Sequence, residues 1–94
     1  FIWFLPHKKG RETTFKEIAS EQKTVAFYES PHRILKALSS LEKVLSTTRR
    51  VVVLRELTKI HESVVSGTAS EVAEYFTKHP TSVRGEFVVI VSPS

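Results

Sequence analysis

A chain of 94 residues makes one small domain, and its formal net charge of +4 suits an anionic partner, RNA among them. The absence of cysteine excludes a disulfide framework and a thiolate metal site. No secretory signal or membrane-spanning run is visible, because the apolar runs are only a few residues long.

The chain opens on a strand-like run, Phe1 to Leu5, and the basic segment His7-Lys8-Lys9-Gly10-Arg11 follows. Thr14-Phe15-Lys16-Glu17 has capping-box spacing and predicts a short helix with Phe15, Ile18 and Ala19 inward. Thr24 to Tyr28 reads as the second strand. Ser30 is a suitable N-cap and Pro31 suits the first helical position. From there to about Ser46, Ile34, Leu35, Leu38, Leu41 and Leu45 mark one helix face. Arg50 to Leu54 is the third strand, and its unbroken Val51-Val52-Val53-Leu54 predicts burial on both faces. Ile60 to Ser66 alternates more and reads as an edge strand. Thr68-Ala69-Ser70-Glu71 is a second capping box, opening a helix with Val72, Tyr75 and Phe76 inward, and His79-Pro80 ends it. Glu86 to Val91 is the last strand, apolar and central. The fold class is therefore α/β, with a mixed five-stranded sheet and helices packed on it.

Strands one to three are joined through helices, so right-handed crossovers make them parallel, with their carboxyl ends on one edge. The short link at Thr58-Lys59 is a hairpin that reverses the fourth strand. The third helix then returns the chain to a fifth strand parallel to the fourth, so strands four and five oppose the rest. One rim thus collects Lys8-Lys9, Glu29-Ser30, Arg55-Glu56 and Arg84-Gly85-Glu86, where open α/β sheets place ligands.

Within that rim, His32 and Arg33 stand in the first turn of a helix, whose partial positive charge disfavours cations by about 0.3–1 kcal/mol each. The conflict points to an anion or a neighbouring domain. Glu29 suits a ligand or catalytic role, or simple neutralisation of Arg33. The pair Arg55 and Glu56 fits an interdomain salt bridge or a substrate contact. Lys8, Lys9 and Arg11 suit a solvated loop or a phosphate. Tyr28 is better placed than Phe27 to meet a ligand, since its hydroxyl tolerates a wet edge. No metal centre is expected: the four histidines have neither HExxH spacing nor i, i+4 pairing. GxGxxG and P-loop patterns are missing too, and Ser30 has no nucleophile elbow around it.

Three segments carry a family likeness. They are Phe4-Leu5-Pro6-His7-Lys8-Lys9-Gly10-Arg11; Phe27-Tyr28-Glu29-Ser30-Pro31-His32-Arg33; and Arg55-Glu56-Leu57-Thr58-Lys59-Ile60-His61-Glu62 running on to Arg84-Gly85-Glu86-Phe87. Together they resemble the C-terminal part of the ribosomal RNA small subunit methyltransferase I family, in the tetrapyrrole methylase superfamily. The resemblance implies the same five-stranded mixed sheet, and a cytoplasmic, homodimeric, two-domain enzyme that uses S-adenosylmethionine to methylate the ribose 2′-hydroxyl of a cytidine in 16S ribosomal RNA. On this reading residues 1–94 form a single domain. It is a fragment, inactive alone, whose missing N-terminal domain supplies most of the cofactor cradle; the absence of methionine is in keeping with that. Glu29 or Glu56 is then the candidate proton acceptor. Tyr28, Glu29, Val53 and Glu86 occupy the places of cofactor contacts. Lys8, Lys9, Ser30, His32, Arg33, Arg55, Lys59 and Arg84 would hold RNA. A porphyrinoid or corrinoid methyltransferase domain and a non-enzymatic basic RNA-binding module are the alternatives.

Overall fold

A computed structural model describes residues 2–3, 10–56, 62–80, 83 and 85–93. Its elements in chain order are β1 (Ile2–Trp3), α1 (Arg11–Ser20), β2 (Val25–Glu29), α2 (Ile34–Val44), β3 (Val51–Glu56), β4 (Glu62–Gly67), α3 (Ala69–Lys78) and β5 (Glu86–Val91). They form one mixed sheet of order β1-β2-β5-β3-β4.

Parallel pairing is confined to β1 and β2, at Ile2 with Ala26 and Trp3 with Phe27. The other four strands, β2-β5-β3-β4, are antiparallel throughout. The expected block of three parallel strands therefore needs correcting. β1, β2 and β3 do run in one direction, but β5 inserts between β2 and β3 and hydrogen-bonds to both. The β4 edge position and the central place of β5 agree with the alternating and continuous apolar patterns that suggested them.

All three helices cover the same sheet face. Phe15 and Ile18 of α1, Ile34, Ala37, Leu38 and Leu41 of α2, and Ala69, Val72 and Phe76 of α3 pack on Val25, Phe27, Val51, Val53, Phe87, Val89 and Val91. Phe15 meets Phe27 edge to face at 6.0 Å between centroids, and Phe76 meets Phe87 at 5.6 Å. Fully burying each such side chain stabilises the fold by about 1.5–3 kcal/mol. Alternate residues point away from the helices. Ala26, Val52, Leu54, Val88 and Ile90 are only half-buried there, and Tyr28 and Val64 are exposed. The apolar run of β3 is thus buried on one face, not on two.

Helix starts account for several further differences. At α3 the capping box forms as the sequence predicts: Thr68 Oγ1 accepts from the Glu71 N–H at 3.2 Å, and Glu71 Oε1 accepts from the Thr68 N–H at 2.9 Å. Gly67, at φ 155°, makes room for it, since a Cβ there would lie 3.0 Å from Glu71 Oε1. The box expected at Thr14 does not form. Helix α1 begins three residues earlier, and the Thr14 hydroxyl donates to the Gly10 carbonyl at 2.9 Å from inside the helix. Ser30 is not the N-cap of α2 either. Residues 31–33 make a turn, and Arg33 stands at the cap position without a side-chain capping bond. Leu35 is 42% exposed and Tyr75 is 37% exposed, so neither is the core residue its spacing suggests.

Arg49 ties the far end of the sheet together. Its Nε donates to the Ser92 carbonyl at 2.8 Å and its Nη1 to the Ala19 carbonyl at 3.1 Å. The end of α1 and the exit of β5 are thereby fixed to the entry of β3.

Candidate functional site

Ladder register decides which rim residues meet. Phe87 of β5 is the partner of Glu29 on one side and of Arg55 on the other. Glu29 and Arg55 are therefore two strand spacings apart, about 10 Å between Cα atoms, on the helix-covered face. One residue earlier, Glu86 stands opposite Glu56, which in turn stands opposite Glu62. Strand alternation places Glu86 on the open face with Val88 and its partner Tyr28. Gly85, at φ 83°, supplies the left-handed backbone from which β5 starts. The strand ends do converge on one rim, but the candidates divide between its two faces.

Glu29 lies on the inner side of that division and is 5% exposed. Its Oε2 takes a 2.7 Å charge-assisted bond from Arg11 Nη2, and its Oε1 accepts the Ser30 N–H at 3.0 Å. The partner of Glu29 is therefore Arg11, one residue into α1, and not Arg33. The Arg11 guanidinium also sits 5.5 Å from the centroid of the Phe15 ring one helical turn on. With both oxygens engaged and almost no surface, Glu29 is badly placed either to take a proton from a substrate hydroxyl or to touch a cofactor.

Arg33 is in the opposite situation. Its backbone N–H and that of Ile34 both donate to the Ser30 carbonyl, at 3.1 and 3.0 Å. Its Nη1 donates to Ser30 Oγ at 3.2 Å, a neutral acceptor. No carboxylate pairs with Arg33 among the described residues. A half-buried guanidinium thus lies next to the start of α2 and to the exposed His32, its charge uncompensated among the described residues. Such an arrangement can hold an anion.

The remaining candidates are less uniform. Tyr28 is 61% exposed on the open face, and Glu86 is exposed at its edge. Val53 is fully buried in the core between its partners Val65 and Val89, so its side chain offers a cofactor nothing. Arg55 is half-buried. Lys8, Lys9, Lys59 and Arg84 lie outside the described residues. A groove of about 300 Å³ between α1 and α2, lined by Glu12, Phe15, Lys16, Ser40, Lys43 and Val44, lies on the helix side, away from Tyr28 and Glu86. Among the described residues no cluster of His, Cys, Asp and Glu could hold a metal ion, and no helix is long and apolar enough to cross a membrane. Arg11 is the partner of Glu29, whereas the sequence placed it in a basic run suited to a solvated loop or a phosphate. Its signal was Phe15 four residues on, a cation–π spacing on a helix.

Some known proteins are similar to this chain in sequence and others in fold. The ribosomal RNA small subunit methyltransferase I of Haemophilus influenzae is 40% identical over 92 residues, 97% of this chain and 32% of its own length. That of Synechocystis sp. is 37% identical over 93 residues, 98% of this chain and 33% of its own. The chain spans about a third of the length of these curated relatives. Among solved structures, the cobalamin biosynthetic enzyme cobalt precorrin-4 methyltransferase, CbiF, superposes on 98% of the chain and 40% of its own with a TM-score of 0.67 at 15% identity. The methyltransferase CobJ does so on 100% of the chain and 41% of its own with a TM-score of 0.66 at 16% identity. At such identities these two speak for the fold alone. Residues 1–73 match the family of Tetrapyrrole (Corrin/Porphyrin) Methylases, more than three quarters of the sequence, and the chain belongs to that family.

Proposed function

We propose that the complete gene product is an S-adenosylmethionine-dependent methyltransferase acting on the ribose 2′-hydroxyl of a cytidine in 16S ribosomal RNA, with this chain as its C-terminal domain. Relatives named for small-subunit ribosomal RNA methylation align with 97–98% of the chain at 37–40% identity. The observation that carries the RNA reading is Arg33: a rim guanidinium with no carboxylate among the described residues suits a phosphate.

Methyl transfer to a hydroxyl needs the oxygen in line with the methyl group and a base for its proton. S-adenosylmethionine, when bound, supplies an electrophilic methyl on a sulfonium. Of the four residues at cofactor positions, the open-face pair offers it side chains. Exposed Tyr28 offers a ring to stack on, and exposed Glu86 offers a carboxylate to hydroxyl groups. Glu29 and Val53 have buried side chains, so their part in holding it runs through the backbone. Glu56, opposite Glu86 in the ladder, is the proton acceptor in this reading. Arg33, His32 and Ser30 hold one phosphate in this reading, and Arg55, Lys8, Lys9, Lys59 and Arg84 are its further RNA contacts. The companion N-terminal domain, pairing with a second copy and a cytoplasmic place beside ribosomal RNA belong to the same proposal.

The test is transfer of labelled methyl from S-adenosylmethionine by the complete gene product. Small-subunit RNA and a porphyrinoid are offered in parallel, and a transcript with blocked 2′-hydroxyls serves as control. Incorporation into unblocked RNA alone is expected. Transfer to the porphyrinoid with none to RNA would overturn the proposal in favour of tetrapyrrole chemistry.

A further inference from the structure

Glu29 is the most deeply buried carboxylate among the described residues, and the chemistry proposed above leaves it no reacting partner. Its bonds nonetheless join two rim segments that are far apart in sequence. Oε2 holds Arg11 at the first residue of α1, and Oε1 holds the Ser30 N–H ahead of α2. Ser30 then holds Arg33 in two ways, through its carbonyl to the Arg33 N–H and through its hydroxyl to Arg33 Nη1. The series Arg11, Glu29, Ser30, Arg33 therefore runs from a cation paired with a carboxylate to one without such a pair among the described residues.

We infer that Glu29 is a positioning residue for RNA binding: it fixes Ser30, and Ser30 aims the Arg33 guanidinium at the substrate. The chemistry favours this over direct participation. A proton acceptor must be reachable by the hydroxyl it serves, and the Glu29 side chain is 4% exposed with both oxygens engaged. A strut has the opposite needs, namely burial, two strong bonds and a rigid strand beneath it. Strand β2 supplies that base, because Glu29 is its last residue and is in register with buried Phe87.

The inference rests on the RNA reading, and its test separates the two. Glu29→Leu is close in volume and removes both acceptors, so the Arg11 and Ser30 struts are lost together. It is made in the complete gene product, alone and with Arg33→Ala, giving four proteins with the wild type and Arg33→Ala. If Glu29 acts through Arg33, Glu29→Leu raises KM for small-subunit RNA about three- to tenfold more in the Arg33 background than in the Arg33→Ala background, with kcat within about twofold. Arg11, relieved of its counter-charge, would act alike in both backgrounds and cancels from the comparison. A kcat loss of a hundredfold or more at unchanged KM would instead make Glu29 a base. Equal KM changes in the two backgrounds would make it a purely structural residue. Titrating the four proteins with a labelled single-stranded RNA reads the same coupling without turnover. Four equal affinities overturn the inference even if methyl transfer to RNA is absent, an absence that by itself sinks only the functional reading.

Discussion

Arg49 and Arg33 show how differently one side chain can be used within a small fold. Arg49 is 2% exposed and burial lowers its pKa, with Glu21 nearby opposing the shift. It donates to the Ser92 and Ala19 carbonyls, while its Nη2 has no hydrogen-bond partner among the described residues. The fork geometry is what matters, since Nε and Nη1 donate from separate atoms, whereas the three N–H groups of an ammonium share one. Arg49→Lys should therefore destabilise the fold by about 1–3 kcal/mol, read from urea unfolding. A change within experimental error would mean that the two carbonyls find other donors. Arg33, by contrast, is expected to matter to binding. Arg33→Ala in the complete gene product should weaken RNA affinity about tenfold and reduce the salt dependence of binding by about 0.7 in log K per log salt on single strands, with the melting temperature nearly unchanged. An unaltered salt slope would show that Arg33 meets no phosphate. Sequence alone found Arg33 because a cation at a helix start breaks a local rule. It could not find Arg49, whose partners Ala19 and Ser92 are 30 and 43 residues away and are backbone atoms.

Elements whose signals are local were read correctly, and those whose ends depend on tertiary contacts were not. Helix α3 is the clearest success, because Thr68 and Glu71 satisfy one another's backbone N–H groups and need no other part of the chain. At α1 the same spacing in Thr14 and Glu17 misleads, as the helix has already begun at Arg11, held by Glu29 from β2. Ser30 misleads similarly. Its hydroxyl accepts from Arg33 Nη1 while its carbonyl closes the turn, so α2 starts without a side-chain cap. The α3 box has a pH signature. Bonds from the Thr68 backbone N–H, and then the Thr68 side chain, hold the Glu71 carboxyl below its usual range, with Arg50 adding to the effect. A carboxylate with a depressed folded-state pKa contributes stability that is fully present above its ordinary range and is lost as pH falls through the lowered value. Acid unfolding should therefore become less steep in Glu71→Gln, which retains an acceptor but does not titrate. Thr68→Ala should cost about 1 kcal/mol near neutrality. Equal acid profiles for wild type and Glu71→Gln would remove Glu71 from the acid response.

At the scale of the whole molecule, strand direction was readable but strand order was not. Helical crossovers set the direction of β1, β2 and β3, whereas the insertion of β5 between β2 and β3 depends on long-range pairing that no local pattern encodes. The burial of β3 was misread for a different reason, the helices covering one sheet face only. Continuous valines in the sequence cannot distinguish a strand covered on both faces from one covered by helices on one face and left with a half-buried apolar face on the other. For the cofactor this difference is decisive. Tight small-molecule sites are concave and bury 70% or more of their ligand. Tyr28 and Glu86 instead stand on an open sheet face, and the groove between α1 and α2 lies on the other side of the sheet. One wall can orient S-adenosylmethionine but cannot enclose it. The 94-residue chain by itself should therefore show no calorimetric heat of binding at micromolar cofactor and no methyl incorporation into RNA. The complete gene product should bind, and should lose about tenfold in affinity on Tyr28→Ala as the stacking surface goes. Micromolar binding by the 94-residue chain would mean that the open face closes around the ligand without a companion domain, and would move the cofactor site wholly into this chain.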